Sequence, residues 1–297
     1  MYVALGVLES AADNAALSVL PSLVPQAQLD RANGRISAAQ LVADEFVGPP
    51  LGGVLFGLAV AVPVYAMGGL YLAAAVFFLA LPRTVTPAGG AAAVSRPTLF
   101  AAAWEGASWL RGHRLLGGLA LVSGVASLAY MVPFSVLVLW ARDVLGLGAT
   151  GYGLLLSLSA LGGLVGSFAT APVRERFGYR TTILGALVLG AGTMMALGVT
   201  STAWLAGPLL AAYILHAVVW GICVAALRQR LVPDDLRGRV NASARLLGLI
   251  GLTAGALIGG AVASAWGLEA TFLVGGALFA GCAAVVPWVF RGAPGPR

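Results

Sequence analysis

Nine stretches of roughly 20 apolar residues follow one another along this chain, and they constrain its fold more than any other feature. They fall at about 1–20, 37–62, 64–82, 116–140, 150–172, 181–200, 203–227, 244–265 and 269–290. A helix of that length spans the bilayer core, about 30 Å thick, and helices satisfy their own backbone polar groups, as lipid requires. The spacing therefore predicts an all-α membrane protein with about nine transmembrane helices. Glu9 and Asp13 interrupt the first stretch, and the second and third abut at Pro63. Only 9% of the residues are charged, against roughly a quarter in a soluble domain, so the surface is built for lipid.

The loops between the stretches alternate in charge. Those at 21–36, 83–115, 173–180 and 228–243, with Arg245 and the tail after 290, hold 16 of the 17 arginines; the opposite set holds Arg142 alone. This asymmetry predicts that the arginine-rich loops and the C-terminus face the cytoplasm of a cell whose cytoplasmic membrane the chain crosses many times. It also explains the basic balance without a nucleic-acid partner. Cys223 and Cys282 lie inside apolar stretches, and His113 and His216 are far apart, so no metal-ligand spacing exists.

The loop 83–115 is the one long connection. It opens with a Pro/Gly/Ala-rich linker from Thr84 to Pro97, then places Phe100, Trp104, Trp109 and Leu110 among Glu105, Arg111 and Arg114. That pattern predicts an amphipathic helix on the membrane surface. The expected organisation is a partial first bundle of three helices (1–82), the linker (83–115), a six-helix bundle (116–290) and a tail (291–297).

An internal repeat runs through this arrangement. Leu23 onward reads LVPQAQLDRANGR and leads to GPPLGG; Leu231 onward reads LVPDDLRGRVNAS and leads to GALIGG. The shared elements are Leu-Val-Pro, Arg-x-Asn and Gly-x-x-x-Gly-Gly (Gly48, Gly52, Gly53 and Gly255, Gly259, Gly260), offset by 208 and then 207 residues. Four stretches precede the second copy within its half and one precedes the first, so three further helices are expected ahead of residue 1.

Gly48-Pro49-Pro50-Leu51-Gly52-Gly53 is similar to the end of the antiporter motif GPxxGG of the major facilitator superfamily. Ala171 to Arg180 resembles that family's loop motif GxxxDRxGRR, with Ala171 for the first glycine and Glu175 for the aspartate. Leu23–Asn33 and Glu105–Leu116 look like loops of the enterobactin-exporter-like and macrolide-exporter-like branch. The resemblance implies a two-bundle helical transporter whose nine stretches correspond to helices four to twelve of twelve. It further implies efflux of a small organic molecule, driven by a proton gradient and needing no cofactor, by a monomer in the bilayer. An importer of the same fold and a truncated, non-transporting membrane protein are the alternatives. No catalytic motif of a hydrolase, metalloprotease or phosphate-binding loop is present, so an enzyme is not expected.

Four groups of residues are candidates for this work. Glu9 and Asp13 share a helical face, and Asp44 and Glu45 lie on the next stretch at similar depth, roughly 10–12 Å from the arginine-rich edge at ~1.5 Å per residue. Carboxylates crowded in the membrane repel when ionised and so can carry the coupling proton. Gly48, Gly52 and Gly53, and Gly251, Gly255 and Gly259, offer small residues for close helix contact, with Pro49 and Pro50 expected to bend the first helix. Glu175, Arg176, Gly178 and Arg180 are implied by the resemblance to form a conformational latch. Tyr130, Phe134, His216 and Trp220 are candidates to line a substrate cavity, with packing as the other reading. Gly162 and Gly166 read as packing alone.

Overall fold

A computed structural model describes residues 47–59, 61–79, 99–233 and 236–291. The chain divides into two compact units, Met1–Arg96 and Pro97–Arg297. In the first unit, α1 (Gly48–Leu58) and α2 (Val62–Leu79) are separated by an extended residue, Ala59 (φ −166°, ψ 148°). The prolines after Gly48 occupy the first turn of α1, where a missing N–H removes no helical hydrogen bond. Pro63 likewise stands in the first turn of α2, so the break between the two helices falls a few residues before it.

The second unit is helical among its described residues: α3 (Leu99–Gly112), α4 (Arg114–Phe134), α5 (Leu137–Asp143), α6 (Ala149–Gly198), α7 (Ala203–Leu231), α8 (Arg237–Trp266) and α9 (Leu268–Val289). Five stretches here are long and apolar enough to cross a membrane, taking α4 and α5 together. The 50 residues of α6 would measure about 75 Å at 1.5 Å per residue, far more than one crossing needs. They are two arms broken at Gly178 (φ +76°, ψ 167°), which makes six stretches of crossing length among the described residues of this unit. Large apolar side chains such as Leu154, Phe168, Val199, Trp204 and Leu257 face outward, which lipid accommodates and water would penalise.

Two expectations need correction. The connections expected at 173–180 and 228–243 are largely helical: the first is interrupted at Gly178, and in the second α7 runs to Leu231 and α8 begins at Arg237. Hydropathy marks where the apolar run ends, whereas the helices continue past it on arginine, a good helix former. The stretch 116–140 is also two helices. Pro133 cannot donate to the Ala129 carbonyl, and α4 closes with a tight turn in which Val136 N donates to Pro133 O (3.2 Å).

Packing follows the small residues. The first arm of α6 lies on α7, where a Cβ at Gly162 would overlap the Ala211 carbonyl and one at Gly166 would sit 3.0 Å from the Leu215 oxygen. Helix α9 packs against α4 and the second arm of α6. A Cβ at Gly275 would come within 2.8 Å of the Ala129 oxygen, to which Pro133 has no N–H to donate, and one at Gly276 within 2.7 Å of Met195. Trp140 of α5, fully buried, closes this layer against Phe272 with ring centroids 4.7 Å apart.

Candidate functional site

Three features of the second unit bear on function, and the first is a seam between α4 and α8. Gly251, Gly255 and Gly259 face the backbone carbonyls of Gly124, Leu128 and Val132 in turn. Both series advance by four residues, so the rows stay in register over two turns. A Cβ on Gly255 would sit 2.5 Å from the Leu128 oxygen, and those on Gly251 and Gly259 would overlap their carbonyls. Only hydrogen fits there, and the close approach brings Cα–H groups onto carbonyl oxygens.

The second feature is a group of rings inside the bundle. Tyr130 and Phe134 of α4 lie 4.2 Å apart, and Tyr213 of α7 stacks 6.2 Å from Tyr130 at an interplanar angle of 6°. His216 and Phe279 of α9 meet edge to face at 5.1 Å, with Tyr213 4.5 Å from the imidazole. Tyr213 and His216 are buried, whereas Tyr130, Phe134 and Trp220 are half-buried. His216 bonds through Nδ1 to the Tyr213 carbonyl of its own helix, while its Nε2 edge lies over Gly190 of α6, where a Cβ would be 2.6 Å away. Trp220, one turn further along α7, is packed against the core without joining the ring group.

The third feature is the break at Gly178. Backbone with φ near +76° and ψ near 167° is accessible essentially only to glycine. It lets Tyr179 turn inward to a buried position, with the Arg174 and Arg230 guanidinium carbons 5.5 and 5.7 Å from its ring centre. Arg174 Nη1 also donates to the Tyr179 hydroxyl oxygen (3.2 Å). Glu175 pairs with Arg174 at 3.1 Å but is 71% exposed, so that pair contributes little. Arg176 lies over Phe177, and Arg180 is exposed.

The sequence profile of the Major Facilitator Superfamily matches residues 1–222 and, in a second overlapping match, 119–297. The chain belongs to that superfamily. It is similar to the tetracycline resistance protein, class C, of Escherichia coli, with 30% identity over 193 residues, which cover 62% of this chain and 47% of that protein. The chain thus spans about half the length of this curated relative. Two solved structures share the fold. A bacterial metal transporter superposes with a TM-score of 0.64 and 20% identity, covering 90% of this chain and 67% of its own. A bacterial homologue of the iron transporter ferroportin, in an inward-facing state, gives 0.64 and 21%, covering 91% and 65%. At such identity they speak to the fold alone. The superfamily's all-helical membrane architecture, present here in part, is thereby the fold of this chain.

The structure brings some candidates together and leaves others apart. Gly255 and Gly259 share one seam; Tyr130, Phe134 and His216 share one ring group; Gly178 forms a break of which Glu175, Arg176 and Arg180 are the flanks. Gly48, Pro49, Gly52 and Gly53 lie in the first turns of α1, where a Cβ on Gly52 would meet no described atom within 4 Å. Glu9, Asp13, Asp44 and Glu45 lie outside the described residues. Sequence reasoning did not single out Tyr213 and Phe279, which complete the ring group, or Arg174, Tyr179 and Arg230. For Tyr213, the signal available was its place three residues before His216 on one helix face.

Proposed function

We propose that this chain performs proton-coupled efflux of a small amphipathic organic molecule by alternating access of two helical bundles. Superfamily membership supports transport. The match to a relative named for resistance to a drug, together with Gly48–Gly53, supports export. That match carries the reading. The resemblance of Leu23–Asn33 and Glu105–Leu116 to enterobactin-exporter-like and macrolide-exporter-like loops extends it to substrates of that size. In this reading the chain acts as a monomer in the cytoplasmic membrane with its C-terminus in the cytoplasm, and the proton gradient replaces any cofactor.

The residues take roles accordingly. Half-buried Tyr130 and Phe134, with Trp220 further along α7, offer apolar, aromatic surface to substrate, a common lining for small-molecule sites, and buried Tyr213, itself against His216, backs Tyr130 and Phe134. Glu9, Asp13, Asp44 and Glu45 supply the proton carrier. The seam of α8 on α4 keeps the second bundle rigid enough to move as a body, and the glycine break at 178 fixes the turn flanked by Glu175, Arg176 and Arg180.

Reconstitution into proteoliposomes tests this. With an acidic lumen, uptake of tetracycline or a lipophilic cationic dye is expected, and a protonophore should collapse it. Uptake only with an acidic exterior would mean symport, hence import; flux under neither gradient would support the non-transporting reading. Full activity in all four carboxylate-to-amide variants would remove the proton-carrier assignment.

A further inference from the structure

A groove of about 750 Å³ opens on the second unit where α3 meets the first turns of α4, the start of α8 and the end of α9. Its walls include Leu121, Leu246 and Ile250, all exposed and apolar, and its rim carries Trp104, Trp288, Arg111 and Arg114. Each arginine is held by one tryptophan. Arg111 lies 4.9 Å from the Trp104 ring centre, and Arg114 lies 4.7 Å from that of Trp288 while donating to the Trp288 carbonyl oxygen at 3.1 Å.

Among the described residues, no carboxylate lines the groove. Glu105, the nearest acid along α3, is engaged by Arg239 of α8. His113 between the arginines adds a donor. Its Nδ1 accepts from Leu116 N at 3.2 Å, capping α4, so the proton of the neutral ring is on Nε2. The ring stacks on Trp109 with centroids 5.1 Å apart.

We infer that this groove is a binding site for an anionic phospholipid of the arginine-rich leaflet. Its phosphate is held by Arg111, Arg114 and His113, and its acyl chains lie along Leu121, Leu246 and Ile250. Tryptophan and arginine are the side chains that settle at the depth of lipid headgroups. A basic pocket between membrane helices, open on an apolar face and free of acids, complements a headgroup phosphate joined to hydrocarbon. A soluble anion would leave the apolar walls unused, and a zwitterionic lipid would bring an ammonium group to a site where no described acid stands to receive it. The inference requires that the chain be embedded in lipid but not that it transport anything.

The test uses the full chain in nanodiscs of phosphatidylcholine doped with brominated phosphatidylglycerol or, separately, brominated phosphatidylcholine of the same acyl chains. Bromine quenches nearby tryptophan. Phosphatidylglycerol is expected to quench at on the order of tenfold lower mole fraction than phosphatidylcholine, as two arginines at a membrane surface imply. The increment should disappear in W104F/W288F and in R111Q/R114Q, and persist in R111K/R114K and in R142Q. Equal quenching by the two lipids, or a preference unchanged in R111Q/R114Q, overturns the site. Quenching by both lipids that is unchanged in W104F/W288F comes from other tryptophans such as the outward-facing Trp204; it means that protein occupies the groove, whether another segment of this chain, a second copy or a partner, and also overturns it. Suppression of the preference by inorganic phosphate at millimolar concentration would reassign the site to a soluble anion. If R111Q/R114Q does not fold, W104F/W288F and the lysine pair still decide.

Discussion

Gly52 in α1 and Gly259 in α8 occupy corresponding places in the internal repeat, and of the two only Gly259 faces another described helix. A side chain on Gly259 would run into the Val132 carbonyl of α4 and Ser135 at its end, whereas one on Gly52 would meet no described atom within 4 Å. Gly260, beside Gly259, is equally open, because the next residue on a helix points about 100° round. Glycine spacing therefore marks a helix face that permits close approach. A facing backbone, in register, is what turns the permission into packing. The second copy has that backbone in the row Gly124, Leu128 and Val132.

The sharpest way to break this contrast is to put the same large side chain in both places. Gly259→Leu should lower the stability of the second bundle by about 3 kcal/mol or more, since overpacking meets rigid backbone rather than a flexible side chain. Loss of the monodisperse peak on heated size-exclusion chromatography would report it. Gly52→Leu should leave the profile close to that of the unsubstituted chain. If the two variants melt alike, the seam does not distinguish the copies.

Gly178 is a glycine of another kind. A Cβ there would also meet nothing within 4 Å, but φ is +76°, so the cost of Gly178→Ala is backbone strain, about 1–3 kcal/mol. The variant should melt earlier than the unsubstituted chain despite the open space, and an unchanged melting profile would show that the chain turns there in some other way. Together with Gly259→Leu this separates glycines needed for room from glycines needed for φ.

Much of this was legible in the sequence, and the parts that were not share a cause. The six stretches of crossing length in the second unit follow from apolar run length, and the seam follows from glycines at spacing four. The break at Gly178 could be placed by the loop motif. What the sequence did not contain was which face meets which. Nothing in its spacing said that Tyr213 would join Tyr130, or that Phe279, 63 positions after His216 in the chain, would meet it edge on. Likewise the arginines engaged at the break are Arg174 and Arg230 rather than the Arg176 that the motif drew attention to, because Tyr179 turns inward between them and Arg174 reaches its hydroxyl. Such pairings depend on helix rotation, which lipid-facing sequences specify weakly because both faces are apolar.

Gly190 tests whether His216 is held by shape. A Cβ at Gly190 would press on the imidazole at 2.6 to 2.8 Å, so Gly190→Ala should cost about 1 kcal/mol, at the low end of overpacking. Adding His216→Ala should return part of that loss, because the ring that clashes is gone. A double-mutant cycle on melting temperatures reads the coupling directly. Strict additivity would mean that the ring moves freely aside and that its place in the group is not enforced by α6.

The smallest effect is expected at the position that opened the comparison. Gly52→Ala adds one methyl where no described atom lies within 4 Å, on a residue inside α1. Removing a helix-interior glycine restricts the unfolded chain and favours the helix, a gain of about 0.5–1 kcal/mol at a position without strain. Gly259→Ala makes the same chemical change, carries the same propensity gain, and should nevertheless destabilise, since its methyl meets the Val132 carbonyl. The sign of the difference between these two variants, measured side by side in one detergent, is the cleanest reading of what the repeat does in each half. Should Gly52→Ala destabilise as Gly259→Ala does, a backbone must face α1 as closely as α4 faces α8, and the two copies would then be doing the same work.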